Sequence, residues 1–287
     1  MIEALRNNRE QAPPEGLWLP GMHLDEEYRT PDDAELETLW EAYNPGGTAE
    51  ACTDVYGVFT RRDSIRAVAS VDLCEVVRDT VLGLDEATGV YPKRRSTYGT
   101  GTWYREDVSN PNYQESVIVS AIRALMGKGL VRPVEHIDAI ATVLRNWRAQ
   151  GVYVVANTST LPGCERGTIQ HTLAEYLPGC FDALVLPRNH TGTGSMTKAR
   201  ALEAITTQAG IPLVDMPFVH IDDALRHVNS FRTQYGRHAD IGLFVPLHAD
   251  NKTTEPGMNQ LSPFEAFVAA DRYFQYRGVF EDTGATA

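Results

Sequence analysis

The sequence predicts an α/β protein built on a Rossmann-like parallel sheet with helices on both faces. Three observations predict it. From Pro133 onward, helix-like and strand-like stretches alternate, the strand-like stretches are short and rich in Val, Leu and Ile, and polar or acidic residues follow several of them directly. Alternation at this spacing implies right-handed β-α-β units, and therefore parallel strands covered on each side by helices. Ligands in such sheets bind at the carboxyl ends of the strands, so the residues just after each strand bear on function.

Taken in chain order, residues 1–50 form an acidic arm and a helix. Pro13, Pro14 and Pro20 interrupt the first 29 residues, and Thr30-Pro31-Asp32-Asp33 reads as a helix start with Thr30 as N-cap and Pro31 at the first helical position. Leu36, Leu39, Trp40 and Tyr43 follow on one face, and Asn44-Pro45-Gly46-Gly47 ends the helix. The runs VYGVFT (55–60) and IRAVASV (65–71) read as a hairpin joined by Arg61-Arg62-Asp63-Ser64. Beyond Asp72 the pattern becomes helix-like through 87, then polar and rich in Tyr, Gly and Thr over 89–113, then helical over 114–126. Helices are expected at 134–150, 167–176, 198–209 and 223–235, with strands at 152–156, 183–186, 218–221 and 241–245. A terminal helix at 263–276 carries Phe264, Phe267, Tyr273 and Phe274, a face that packs on the body or on a second subunit, so a homo-oligomer is one expectation.

Composition excludes several classes. The 287 residues are 43% hydrophobic and 22% charged, which suits a packed core rather than a disordered chain. The net charge is −12, and residues 1–50 carry twelve Asp and Glu against three Arg. This acidity argues against strong binding to a nucleic-acid backbone, which needs clustered Lys and Arg. No apolar run is long enough to span a membrane, and MIEALRNNREQAPPEG lacks a secretory pattern, so a cytoplasmic protein is expected. Cys52, Cys74, Cys164 and Cys180 are scattered and read as reduced, mostly buried thiols. The eight histidines show no zinc spacing, and neither glycine-rich segment, Tyr98-Gly-Thr-Gly-Thr or Thr191-Gly-Thr-Gly-Ser, is followed by the Lys-Ser/Thr of a P-loop.

The strand ends hold the chemistry. Asp72 ends one strand, Asn157-Thr158 another and Asp222-Asp223 a third, while Lys198 opens an intervening helix. Brought side by side, these carboxylates offer hard oxygen ligands for Mg²⁺ and a nucleophile, and the hydroxyl and ammonium can hold a phosphoryl group.

In this order the motifs resemble those of the haloacid-dehalogenase (HAD) superfamily of hydrolases. RAVASVDLCEVVRDT places Asp72 at the family's nucleophile, GVYVVANTST places Thr158 at the second motif, GSMTKARAL supplies the third-motif Lys198, and FVHIDDALRHV the acidic pair. The resemblance covers roughly residues 65–251 and looks closest to the 5′(3′)-deoxyribonucleotidase-like group. It implies a Mg²⁺-dependent phosphohydrolase acting on a small phosphomonoester such as a nucleotide. In that reading Asp72, Cys74, Thr158 and Lys198 are catalytic, and Asp72, Asp222 and Asp223 hold the metal. It further implies a core of 51–79 and 133–287 with a small, mostly helical cap at 80–132. Asn157 and, from the cap, Arg94 and Arg95 would contact substrate; Tyr98, Trp103 and Tyr104 would offer stacking faces.

The first motif departs from the family at two positions. Cys74 stands where an Asp shuttles a proton, and Glu75 stands where glycine follows. An ordinary thiol, with a pKa of about 8.5, is a poorer shuttle than a carboxyl, and losing such help costs about 10²–10⁴ in rate. A catalytically impaired binding or assembly protein is therefore the alternative. A third reading takes Asp54-Val55-Tyr56-Gly57 as the motif of a metal-independent dehalogenase, with Asp54 attacking carbon beside Tyr56.

Overall fold

The computed structural model describes residues 29–80, 83, 122–188, 190, 196–236, 241–246 and 261–280. Its strands are β1 (Ala49–Ala51), β2 (Gly57–Thr60), β3 (Ala67–Val71), β4 (Arg78–Asp79), β5 (Arg132–Pro133), β6 (Val152–Asn157), β7 (Ala183–Val185), β8 (Phe218–Ile221) and β9 (Ile241–Phe244). Seven of them form one sheet in the order β1-β2-β7-β6-β3-β8-β9, and β4 pairs with β5 apart from it. The five strands from β7 to β9 are mutually parallel; β2 joins β7, and β1 joins β2, antiparallel. The predicted α/β class is thus observed, with β3 at the centre and the strand order reversing on either side of it.

The helices are α1 (Asp33–Tyr43), α2 (Ile137–Ala149), α3 (Glu165–Gly167, continued by the π-helical Thr168–Tyr176), α4 (Lys198–Gln208), α5 (Leu225–Tyr235) and α6 (Pro263–Tyr276). Alternate residues along each strand face opposite layers. Ala67, Ala69, Val71, Val152, Val154, Ala156, Val219 and Ile221 join α1, α2, α3 and α6 in one apolar cluster. Val68, Tyr153, Val155 and Phe218 join α4 and α5 in the other. Both faces are therefore covered, which is why every residue of β3 and of β6 is buried.

Three sequence expectations change. The hairpin of 55–60 with 65–71 does not form, because β3 is buried on both sides and pairs in parallel with β6 and β8. β2 instead crosses to the far edge and lies against β7, where Gly57 permits the approach: a Cβ there would sit 2.7 Å from the Leu184 carbonyl oxygen. The N-cap of α1 is Asp32 rather than Thr30. Asp32 accepts from Glu35 N at 2.9 Å while the Glu35 carboxylate accepts from Asp32 N at 3.1 Å, a reciprocal capping box. Finally, the stretch after Asp72 does not begin as a helix. Val77 N and Arg78 N both donate to the Leu73 carbonyl, a tight turn that leads into β4. Within it Glu75 has φ 60°, so the left-handed conformation that suits glycine is held here by a glutamate.

Of the expected cap, residues 122–127 are helical and dock on α3. Arg123 Nε donates to the Pro162 carbonyl at 2.9 Å, and His171 Nε2 lies 3.1 Å from the Gly127 carbonyl oxygen. Arg94, Arg95, Tyr98, Trp103 and Tyr104 lie outside the described residues.

Candidate active site

β3, β6 and β8 are neighbours, so their carboxyl ends bring Asp72, Thr158 and Asp222 to one edge of the sheet. The strand order reverses at β3, the place where open α/β sheets bind their ligands. The backbone fixes each end: Asp72 N donates to the Ile221 carbonyl at 2.9 Å, Thr158 N to that of Val185 at 3.1 Å, and Asp222 N to that of Phe244 at 3.2 Å.

Lys198 joins the acids. Its Nζ lies 2.8 Å from Asp72 Oδ1 and 2.6 Å from Asp222 Oδ2, with the ammonium 1% exposed. Burial alone would lower the Lys198 pKa, but the Asp222 and Asp72 carboxylates outweigh it and hold the ammonium above its ordinary value. Burial works to raise Asp222, yet Lys198 and then His227 pull it well below the usual carboxylate range. Asp223 moves the other way: burial, then the charges of Asp222 and Asp72, push it well above. Three buried carboxylates thus face one buried ammonium.

Asp222 is heavily engaged. Oδ1 accepts from Ala224 N at 2.8 Å, and His227 Nδ1 lies 3.2 and 3.1 Å from Oδ1 and Oδ2. Asp72 is less so, for Oδ1 takes both Leu73 N at 2.8 Å and the Lys198 ammonium. Among the described residues, Oδ2 of Asp72 accepts no hydrogen bond, which leaves it as the oxygen available for attack or ligation.

A buried polar layer supports these groups on the α4 side. Asn157 Nδ2 donates to Ser70 Oγ at 3.1 Å and to the Lys198 carbonyl at 2.9 Å, and His220 Nδ1 lies 3.0 Å from Ser70 Oγ. Asn157 therefore points inward, fully buried, and ties the end of β6 to the start of α4. His220 Nε2 lies 3.4 Å from Asp222 Oδ2, and burial keeps the ring below its ordinary pKa. Cys74 Sγ stands 4.0 Å from Thr158 Oγ1, so the two reach the same edge.

The residues present fit a divalent cation. Asp72, Asp222 and His227 offer ligand atoms that all lie within 4.8 Å of one another, and two of the three donors are the hard carboxylate oxygens that such an ion takes. Asp223 adds a further carboxyl, near enough to feel both acids. Of the sequence-predicted set, Asp72, Lys198 and Asp222 are in direct contact, Cys74 and Thr158 are in contact with each other, and Arg94 and Arg95 are outside the described residues. His227 is the site residue that the sequence did not single out. Its signal was its place one helical turn after the acidic pair. Asp54 is exposed in the link between β1 and β2, separated from β3 by β7 and β6, and Tyr56 spends its hydroxyl on the Pro31 carbonyl.

No family model and no curated protein matches the chain. Solved structures with a similar fold include a HAD family hydrolase from Deinococcus radiodurans with bound phosphate and sodium, at 16% identity over 77% of this chain and 99% of that one, TM-score 0.46. A haloacid dehalogenase-like family protein from Streptococcus pneumoniae is similar at 13% identity over 73% and 100%, TM-score 0.45. CbbY from Rhodobacter sphaeroides in complex with phosphate is similar at 16% identity over 70% and 96%, TM-score 0.44. No helix among the described residues is long and apolar enough to cross a membrane.

Proposed function

We propose that the chain is a HAD-type phosphohydrolase acting on a small phosphomonoester, a nucleotide being the first class to test, with residues 80–132 as a cap over the strand ends. The observation that carries this reading is the Lys198 ammonium bridging Asp72 and Asp222 at the carboxyl edge of the sheet. The bridge fixes the orientation of the Asp72 carboxylate, leaving Oδ2 as the attacking oxygen. Asp72 attacks phosphorus, the bond to the ester oxygen breaks and that oxygen takes a proton from water; a water molecule then attacks the acyl phosphate, returning the Asp72 carboxylate and releasing orthophosphate. Thr158 and Lys198 hold the transferring phosphoryl group. Mg²⁺ held by Asp72 and Asp222, with Asp223 or His227, would supply charge neutralisation at the phosphoryl oxygens. Asn157 positions Lys198 through its backbone rather than touching substrate.

The alternative, a binding protein with impaired turnover, is favoured by Cys74 in the place of a proton-shuttling carboxyl. Phosphate release from a panel of 5′- and 3′-nucleotides and sugar phosphates, with and without Mg²⁺ and with Asp72→Asn as blank, separates the two. Metal-dependent release that vanishes in the variant supports the phosphohydrolase; binding without release from any substrate favours the alternative.

A further inference from the structure

Arg78 is among the largest fully buried side chains, 0% exposed, although nothing in the proposed chemistry uses it. Its guanidinium meets only neutral acceptors. Nη1 donates to Thr168 Oγ1 at 3.1 Å and Thr172 Oγ1 at 3.0 Å, Nη2 donates to Thr160 Oγ1 at 2.9 Å and Cys74 Sγ at 3.4 Å, and Nε has no partner. Among the described residues no carboxylate pairs with it. Glu165, which begins the helix carrying two of these threonines, is committed to Gly163 N and to Arg188.

A guanidinium buried without an ion-pair partner is costly to the fold. Its retention points to an anion supplied from outside. The route to that anion runs through Cys74, which is partly exposed and whose Sγ touches both Arg78 Nη2 and, at 4.0 Å, Thr158 Oγ1. Lys198 at the same edge also bridges Asp72 and Asp222, so its charge is shared with two carboxylates.

We propose that Arg78 is a positioning residue for the substrate's phosphoryl group: it fixes Cys74 and Thr160 at the rim of the crevice, and its buried charge is balanced by the phosphoryl dianion. This rests on the reading of the edge as a phosphoryl site. The arrangement trades stability of the free protein for affinity, so removing the charge weakens anion binding without harming the fold.

The test is binding of orthophosphate in the presence of Mg²⁺ by titration calorimetry, with thermal unfolding measured in its absence, for the wild type, Arg78→Met and Arg78→Lys. Arg78→Met is expected to bind orthophosphate about tenfold more weakly or worse, through the loss of the balancing charge and of the fixed Cys74 and Thr160, and to unfold without phosphate at the wild-type temperature or above it. Arg78→Lys, which keeps the charge, is expected to stay much closer to the wild type. Unchanged affinity in Arg78→Met overturns the proposal while leaving the phosphoryl site standing. So does failure of Arg78→Met to fold, because the charge then serves the fold. If the wild type itself binds no orthophosphate, the reading of the edge as a phosphoryl site fails as well.

Discussion

Lys198 opens α4, where the helix dipole disfavours a cation, and it is buried there. Two carboxylates hold it in place, so its removal leaves Asp72 and Asp222 facing each other without a counter-charge. Lys198→Met is expected to destabilise the fold by about 3–5 kcal/mol, the cost of breaking a buried pair, and to abolish phosphate release; urea unfolding and the release assay check both. The four thiols should separate by reactivity. Burial pushes Cys164 up to about 12 and Cys180 up to about 11, and raises Cys52, whereas Cys74 is partly exposed. Native-state alkylation followed by peptide mass analysis is expected to label Cys74 first, with orthophosphate slowing it; rapid labelling of Cys164 would contradict the packing around it. At this scale the carboxylates and Lys198 were legible in the sequence because each adjoins a clear strand or helix start. Arg78 and Asn157 were not, since the strand pattern says where Asn157 sits but not that its amide turns inward, and a buried arginine looks like any surface one.

Among the elements, α3 makes room for its neighbour at one glycine. A Cβ on Gly167 would lie 2.2 Å from the Met126 carbonyl oxygen, so the helical residues 122–127 approach there at backbone distance. Gly167→Ala is expected to cost about 1–3 kcal/mol as those residues are pushed away, with a matching fall in thermal stability. Asn157→Ala removes two hydrogen bonds between β6, Ser70 and α4, and should cost about 1–3 kcal/mol by leaving buried groups unsatisfied. The parallel strands and the helices between them followed from periodicity, and the terminal helix at 263–276 was found at its observed bounds. The hairpin was misread because local turn chemistry at Arg61–Ser64 identifies a reversal but not a partner. Strand β2 satisfies its hydrogen bonds at β7, distant in sequence, and no local signal carries that information. The π-helical turn geometry of α3 is likewise invisible to a periodicity argument.

For the whole molecule, two apolar clusters sandwich one sheet, and α1 belongs to the larger of them. Leu36, Leu39, Trp40 and Tyr43 are buried, and Tyr43 ties the helix to the loop after α3 by donating to the Leu177 carbonyl at 2.7 Å. Burial of four such side chains stabilises by roughly 6–12 kcal/mol at about 1.5–3 each, comparable with the whole stability of a domain. Deleting residues 1–44 is therefore expected to leave an unfolded or aggregating chain by circular dichroism, whereas an independent arm would come away without loss. The acidic segment that the composition set apart is, from residue 33 on, part of the core. In the proposed function, the edge formed by β3, β6 and β8 makes Asp72 a phosphoryl acceptor. Acid quenching of the enzyme during turnover of a phosphomonoester, followed by peptide mapping, tests it most directly. A phosphoryl group is expected on the peptide bearing Asp72, absent from Asp72→Asn together with phosphate release; release that persists undiminished in Asp72→Asn, with no phosphoryl group on that peptide, would rule out Asp72 as the acceptor.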